Sequence, residues 1–245
     1  MITSLSLTTL LQHLLFLFLL LVAPAWDYYD TRRLKQSPTS PAKIRYYATL
    51  CAWLWGAAIV AGLLVGWPSI AISPAPREMS WLFQHIWVRY FVVVLLFVLA
   101  AIVIWTYLAV LLMRIRNQPR KYASSDLMQK LSYSYLFPAT RLERRWWILI
   151  GLTAGICEEI LFRGFLLRYL NTSPWHLNLR LALLVSSLIF GLQHLYQGAK
   201  GVIATTVLGA LFGLLFLLSG SLLLPMILHA ALDLRLLVIL RPATE

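Results

Sequence analysis

Residues 155–165 read Gly-Ile-Cys-Glu-Glu-Ile-Leu-Phe-Arg-Gly-Phe. Glu158, Glu159 and Arg163 stand there inside a mostly apolar stretch, residues 146–170. That stretch is long enough to cross a hydrocarbon core of about 30 Å. A charge at the centre of such a helix costs about 2.5–3.5 kcal/mol, so it normally faces a bundle interior or a water-filled cavity and marks a functional site. The chain has only nine Asp and Glu, and three of them, Glu158, Glu159 and Asp233, fall within apolar segments. Two further polar elements follow. His194 closes an apolar run with Phe190 four residues before it, and His229 stands four residues before Asp233 in the last apolar run. Hydrolysis of a peptide bond needs a water nucleophile, a base to take its proton and a donor for the oxyanion that forms. A carboxylate with imidazoles supplies these groups. No Ser-His-Asp or Cys-His order and no His-Glu-x-x-His motif stands out.

Helical spacing divides the labour. Glu159 and Arg163 are four apart on one helix face and pair as ions. Glu158 points about 100° away, given 3.6 residues per turn, and stays free to react. Gly155, one turn earlier, leaves room beside it. His229 and Asp233 share a face, and an Asp beside a His fixes its tautomer. The alternative for each element is a polar cluster that locks helices together.

The elements that must position these groups are helices. The chain of 245 residues is 60% hydrophobic, and its mean hydropathy is +0.77. An all-α, polytopic membrane bundle of about seven transmembrane helices is expected. The formal net charge of +12 does not point to nucleic acid, because the basic residues flank apolar runs, where the positive-inside rule expects them. Cys51 and Cys157 both lie in apolar runs and read as buried thiols, with no disulfide framework or Cys-based zinc pattern.

The expected spans are residues 5–22, 47–66, 86–113, 146–170, 179–195, 202–218 and 222–240. Ala23-Pro24-Ala25 resembles a signal-peptidase site, but no basic residue precedes the first run, so a retained helix is expected. Residues 27–45, with five Lys and Arg and a break at Pro38–Pro41, read as a cytoplasmic loop, and residues 67–85 as an external one. The basic stretch 114–145 is cytoplasmic, and Leu127, Leu131, Tyr135 and Leu136 suggest a short surface helix within it. Residues 197–201 read as a turn. Gly209 and Gly213 allow close helix approach. Span parity and loop charge place the N-terminus outside and the C-terminus in the cytoplasm of a multi-pass protein, of a bacterial inner or plasma membrane. The chain divides into N-terminal helices with a basic loop, residues 1–140, and a helical core, residues 141–240.

The order Glu-Glu-x-x-x-Arg, Phe-x-x-x-His, His-x-x-x-Asp resembles the CPBP family. That family takes in type II (Rce1-like) CAAX-processing proteases and bacterial Abi immunity-type proteins. The resemblance covers about residues 141–240. It implies that Glu158 activates the attacking water, that His194 acts with it, and that His229 and Asp233 stabilise the oxyanion. Many members carry Asn where this chain has Asp233. An ionised Asp cannot donate to an oxyanion, so Asp233 is expected to orient His229, with His229 as donor. Family members have been described as glutamic and as metallo-type enzymes. Zinc on Glu158, His194 and His229 is the metal alternative; no cofactor is favoured, because Glu159 is committed to Arg163.

The function expected is intramembrane hydrolysis of a membrane-associated or lipid-linked peptide or protein, with membrane lipid as the other partner. A transporter or proton relay using the same residues is the first competitor, weakened by the lack of obvious inverted repeats. A non-catalytic, immunity-type scaffold is the second. One geometric tension stands in the sequence. Counted at about 1.5 Å per residue, Glu158 and His229 fall near mid-membrane and His194 nearer the cytoplasmic end. They meet only if the fifth helix stops inside the membrane.

Overall fold

The computed structural model describes residues 6–71, 86–115, 133–172 and 174–239, and every regular element among them is helical. The protein is an all-α membrane bundle. Ser6 caps helix α1 (Leu7–Leu17) by accepting the Thr9 N–H, and a π-helical turn (Phe18–Val22) carries it into α2 (Ala23–Gln36). The expected loop over residues 27–45 is therefore mostly helix. The chain breaks only at residues 37–39, before α3 (Ser40–Val65). Pro41 falls in the first turn of α3, where a proline costs no hydrogen bond and its φ already suits the helix. Pro24 follows the π turn inside the continuous stretch Leu7–Gln36 and does not end it.

Gly66, at φ 87°, turns the chain into the short α4 (Trp67–Ala71). Helix α5 (Ile86–Ile115) follows the expected third span. The rest of the external segment, residues 72–85, and most of the basic segment, residues 116–132, lie outside the described residues, Leu127 and Leu131 included. So does the chain beyond residue 239. Tyr135 and Leu136 lie in a single 3-10 turn (Ser134–Leu136), and Leu136 is buried against Tyr46, Tyr47 and Leu34. Their apolar side chains face the protein core.

Helix α6 (Arg141–Glu159) begins on Thr140, whose hydroxyl accepts the Glu143 N–H at 3.2 Å. The Glu143 carboxylate reaches back to the Ala139 N–H at 2.8 Å, a close relative of the capping box. Glu143 also pairs with the buried Lys43 at 3.4 Å, and Lys43 donates to the Phe137 carbonyl. The starts of α3 and α6 are thus pinned together. Helix α6 continues through a π-helical segment (Ile160–Leu166) into α7 (Leu167–Asn171). Asn178 caps α8 (Leu179–Leu192). Helix α9 (Gly198–Ser219) starts where a turn over residues 197–201 was expected and closes on the left-handed Gly220. Helix α10 (Leu223–Ile239) ends the described chain.

Helix α6 is central. It packs along α3 on one side and α10 on the other, while α8 pairs with α9 and α5 leans on α10. The largest core gathers around the π segment, where Leu161, Phe165 and Leu166 are wholly buried beside Ile70 and Phe216. Large apolar side chains also face outward. Leu63 and Phe97 are 73% and 74% exposed, as lipid rather than water would favour. Three helical stretches, Leu7–Gln36, Ser40–Val65 and Leu195–Ser219, are long and apolar enough to cross a membrane, and Leu96–Ala109 and Leu179–Leu192 are shorter apolar helices.

Candidate active site

Three features bring the polar elements together, and two of them are close helix approaches that depend on glycines. A Cβ added to Gly155 would stand 2.7 Å from the Ala230 backbone nitrogen, so the space beside Glu158 that the sequence suggested is filled by α10. That contact sets His229 against the glutamates. A Cβ on Gly209 would meet Phe190 at 3.0 Å, and one on Gly213 would meet Leu183 at 2.3 Å, so the Gly209–Gly213 pair does let α9 approach α8. The end of α8 supplies the third. Its 14 residues span only about 21 Å at 1.5 Å per residue, short of a hydrocarbon core. His194 follows in the turn beyond Leu192, two residues past the helix rather than inside the longer span expected.

The Glu159–Arg163 pair is present at 2.9 Å and fully buried. Arg163 lies in the π segment, and its second amino group donates to the Gly209 carbonyl at 3.1 Å. Its guanidinium covers the Phe190 ring, 4.5 Å from the centroid. One arginine so joins α6, α8 and α9. The π geometry is supported by Ser186, whose hydroxyl donates to the Phe162 carbonyl at 3.0 Å.

Glu159 has a second partner. Its Oε1 lies 2.8 Å from His229 Nδ1. An ionised carboxylate only accepts, so Nδ1 carries the proton and Nε2 points the other way. Nε2 stands 3.8 Å from Glu158 Oε2 and 3.8 Å from Asp233 Oδ2, too long for a direct bond to either. Asp233 was expected to orient His229; the hydrogen bond that does so comes from Glu159 instead. Two residue types four apart on one helix made Asp233 the apparent partner, but the cross-helix contact is shorter. Phe212 stacks on the His229 ring at 5.0 Å between centroids and fixes its plane.

His194 Nδ1 lies 3.0 Å from the Phe190 carbonyl. A carbonyl only accepts, so Nδ1 holds the proton and Nε2 is left with its lone pair. Glu158 Oε2 is buried with no hydrogen-bond partner among the described residues. Glu158, His194, His229 and Asp233 all line one cavity of about 440 Å³, whose other walls combine aliphatic and aromatic side chains, including Tyr47, Trp147 and Phe190. Among the described residues, no three His, Cys, Asp or Glu side chains are grouped to hold a metal ion.

The sequence did not mark Phe212, Trp147, Tyr46 or Asp27 as parts of this region. Phe212 and Trp147 are apolar residues in apolar helices and carry no signal. Asp27 and Tyr46 fell at the edges of an apparent loop.

An all-helical integral membrane protein with carboxylates and imidazoles gathered in one cavity is the class defined here. Residues 141–235 match the family described as type II CAAX prenyl endopeptidase Rce1-like. The match begins at the first residue of α6 and ends within α10, so it takes in Glu158, Glu159, Arg163, His194, His229 and Asp233. No curated protein and no solved structure matches the chain.

Proposed function

We propose that the protein is an intramembrane endopeptidase that hydrolyses a peptide bond in a membrane-associated or lipid-linked substrate, without a metal. The observation that carries this reading is the convergence of Glu158, His194 and His229 on one cavity. Water is held between Glu158 and His194 Nε2. Glu158 takes a proton from it as the oxygen attacks the carbonyl carbon. His229, with a proton on each nitrogen in this role, donates from Nε2 to the oxyanion and is held by Glu159 through Nδ1. The tetrahedral intermediate collapses as the C–N bond breaks, and the proton on Glu158 passes to the leaving amine. The aliphatic and aromatic walls suit a lipid chain or an apolar peptide, and the Rce1-like match makes a prenylated C-terminal peptide the first substrate class to test. The N-terminus is external and the C-terminus cytoplasmic in this proposal, which a reporter fused at Glu245 reads directly.

Glu158→Gln tests the reading. Turnover of a lipid-anchored peptide in proteoliposomes should be almost abolished while thermal unfolding is unchanged, and metal analysis of the active enzyme should find no stoichiometric zinc. Stoichiometric zinc lost and regained with activity would overturn the metal-free version. Full activity in Glu158→Gln would overturn Glu158 as the base, and no turnover by the wild-type protein would overturn the peptidase itself.

A further inference from the structure

A second cavity, of about 50 Å³, lies on the other side of Glu158 and His194. About 10–15 Å³ of such space is enough for one water, provided two to four polar groups surround it. Tyr46, Leu50, Glu158, His194 and Tyr196 line both cavities, so the wall between them is built partly from the reacting groups. The far wall of the small cavity comes from the N-terminal helices. It includes Asp27 of α2, which borders the small cavity alone, and Tyr46 of α3, which borders both, and the Tyr46 hydroxyl donates to Asp27 Oδ1 at 2.8 Å. Both residues lie outside the segment that carries the family match. Gln193, which also lines the cavity, is pinned by its amide to the Leu19 carbonyl within the π turn of the first helix.

These contacts are arranged for water. With its hydrogen committed to Asp27, the Tyr46 oxygen offers only lone pairs and accepts a hydrogen bond. Glu158 and His194 Nε2 offer acceptors from the opposite side. Asp27 is only partly buried, whereas Tyr46 is 8% exposed, so a line of polar groups leads inward from the edge of the protein. A substrate filling the large cavity would shut off water from that direction, and hydrolysis consumes one water per turnover.

We infer that the small cavity is a dedicated water site that feeds the Glu158–His194 pair, with Asp27 and Tyr46 as its positioning residues. The inference rests on the peptidase reading. The two fail differently in one experiment, in which kcat and KM for a quenched, lipid-anchored peptide are measured in proteoliposomes. Asp27→Leu removes the acceptor and fills the cavity, and should lower kcat by about 10- to 100-fold, the cost of displacing a reacting group by about 1 Å. KM should stay within about twofold, because the substrate occupies the other cavity. Tyr46→Phe should lower kcat in the same manner. Asp27→Asn keeps an acceptor for Tyr46 and should recover most of the rate, which separates positioning from a general folding defect. Wild-type kcat in Tyr46→Phe, or a raised KM at unchanged kcat in Asp27→Leu, which borders the small cavity alone, overturns the water site. No turnover by the wild-type protein overturns the peptidase reading instead.

Discussion

The two histidines differ in what holds them, and that difference assigns their chemistry. His194 is tied to a neutral carbonyl, and its free nitrogen is an acceptor suited to orienting water. His229 is tied to a carboxylate, which supports a proton on the ring and favours the donor role. Glu159 serves both Arg163 and His229 through one oxygen. Glu159→Gln should then damage two things at once. It leaves Arg163 buried without its counter-charge, which typically costs about 3–5 kcal/mol, and it loosens His229. His229→Ala should lower kcat by about 100- to 1000-fold, the usual effect of losing an oxyanion donor. Asp233→Asn should be the mildest of the three, since its contact to His229 is 3.8 Å. Steady-state rates of the three variants, with melting temperatures beside them, check this order. An Asp233→Asn defect as large as that of Glu159→Gln would return the orienting role to Asp233.

At the scale of elements, the site exists because helices touch where a side chain would separate them. Gly151 and Gly155 both face α10 from α6, but they meet it differently. An added Cβ at Gly151 would press on the flexible end of Leu234 at 2.9 Å, whereas at Gly155 it would press on Ala230 backbone. A side-chain end can rotate; a helix backbone must move as a unit. Gly155→Ala should destabilise the protein by about 1–3 kcal/mol, the common cost of overpacking, and should lower kcat because His229 moves with α10. Gly151→Ala should come near wild type in both. Equal effects at the two positions would show that α10 is not held where the site needs it by Gly155.

At the scale of the whole molecule, the buried Lys43–Glu143 pair ties the N-terminal helices to the segment that carries the site. Burial alone would raise the Glu143 carboxyl, but hydrogen bonds from the Ala139 N–H and Ser40 and the charge of Lys43 outweigh it and hold the group below the usual glutamate range. A lowered folded value means that the stabilisation is fully present above the unfolded value, about 4.3, and is lost as pH falls through the folded one. Glu143→Gln should therefore be less stable than wild type at neutral pH, by about 1.5–3 kcal/mol for a lost charged hydrogen bond. The gap should close on acidification below about pH 4. Thermal unfolding of both proteins across that range checks it; a gap independent of pH would mean that the Glu143 charge contributes nothing.

Helicity and the apolar, membrane-type character of the helices were legible in the chain. They follow from local rules, namely a composition too apolar for water and helical spacing. The Glu159–Arg163 pair was legible for the same reason, since four residues on a helix are neighbours wherever the helix lies. What the tertiary structure decided are contacts between residues far apart in sequence. Glu159 reaches His229 across 70 positions, and no local pattern ranks that contact above the nearer Asp233. Pro41 could break or begin a helix, and the structure places it in the first turn of α3. Asp27 belonged to an apparent loop by composition. It becomes part of the site's far wall because α2 runs on as a helix and sets it against Tyr46.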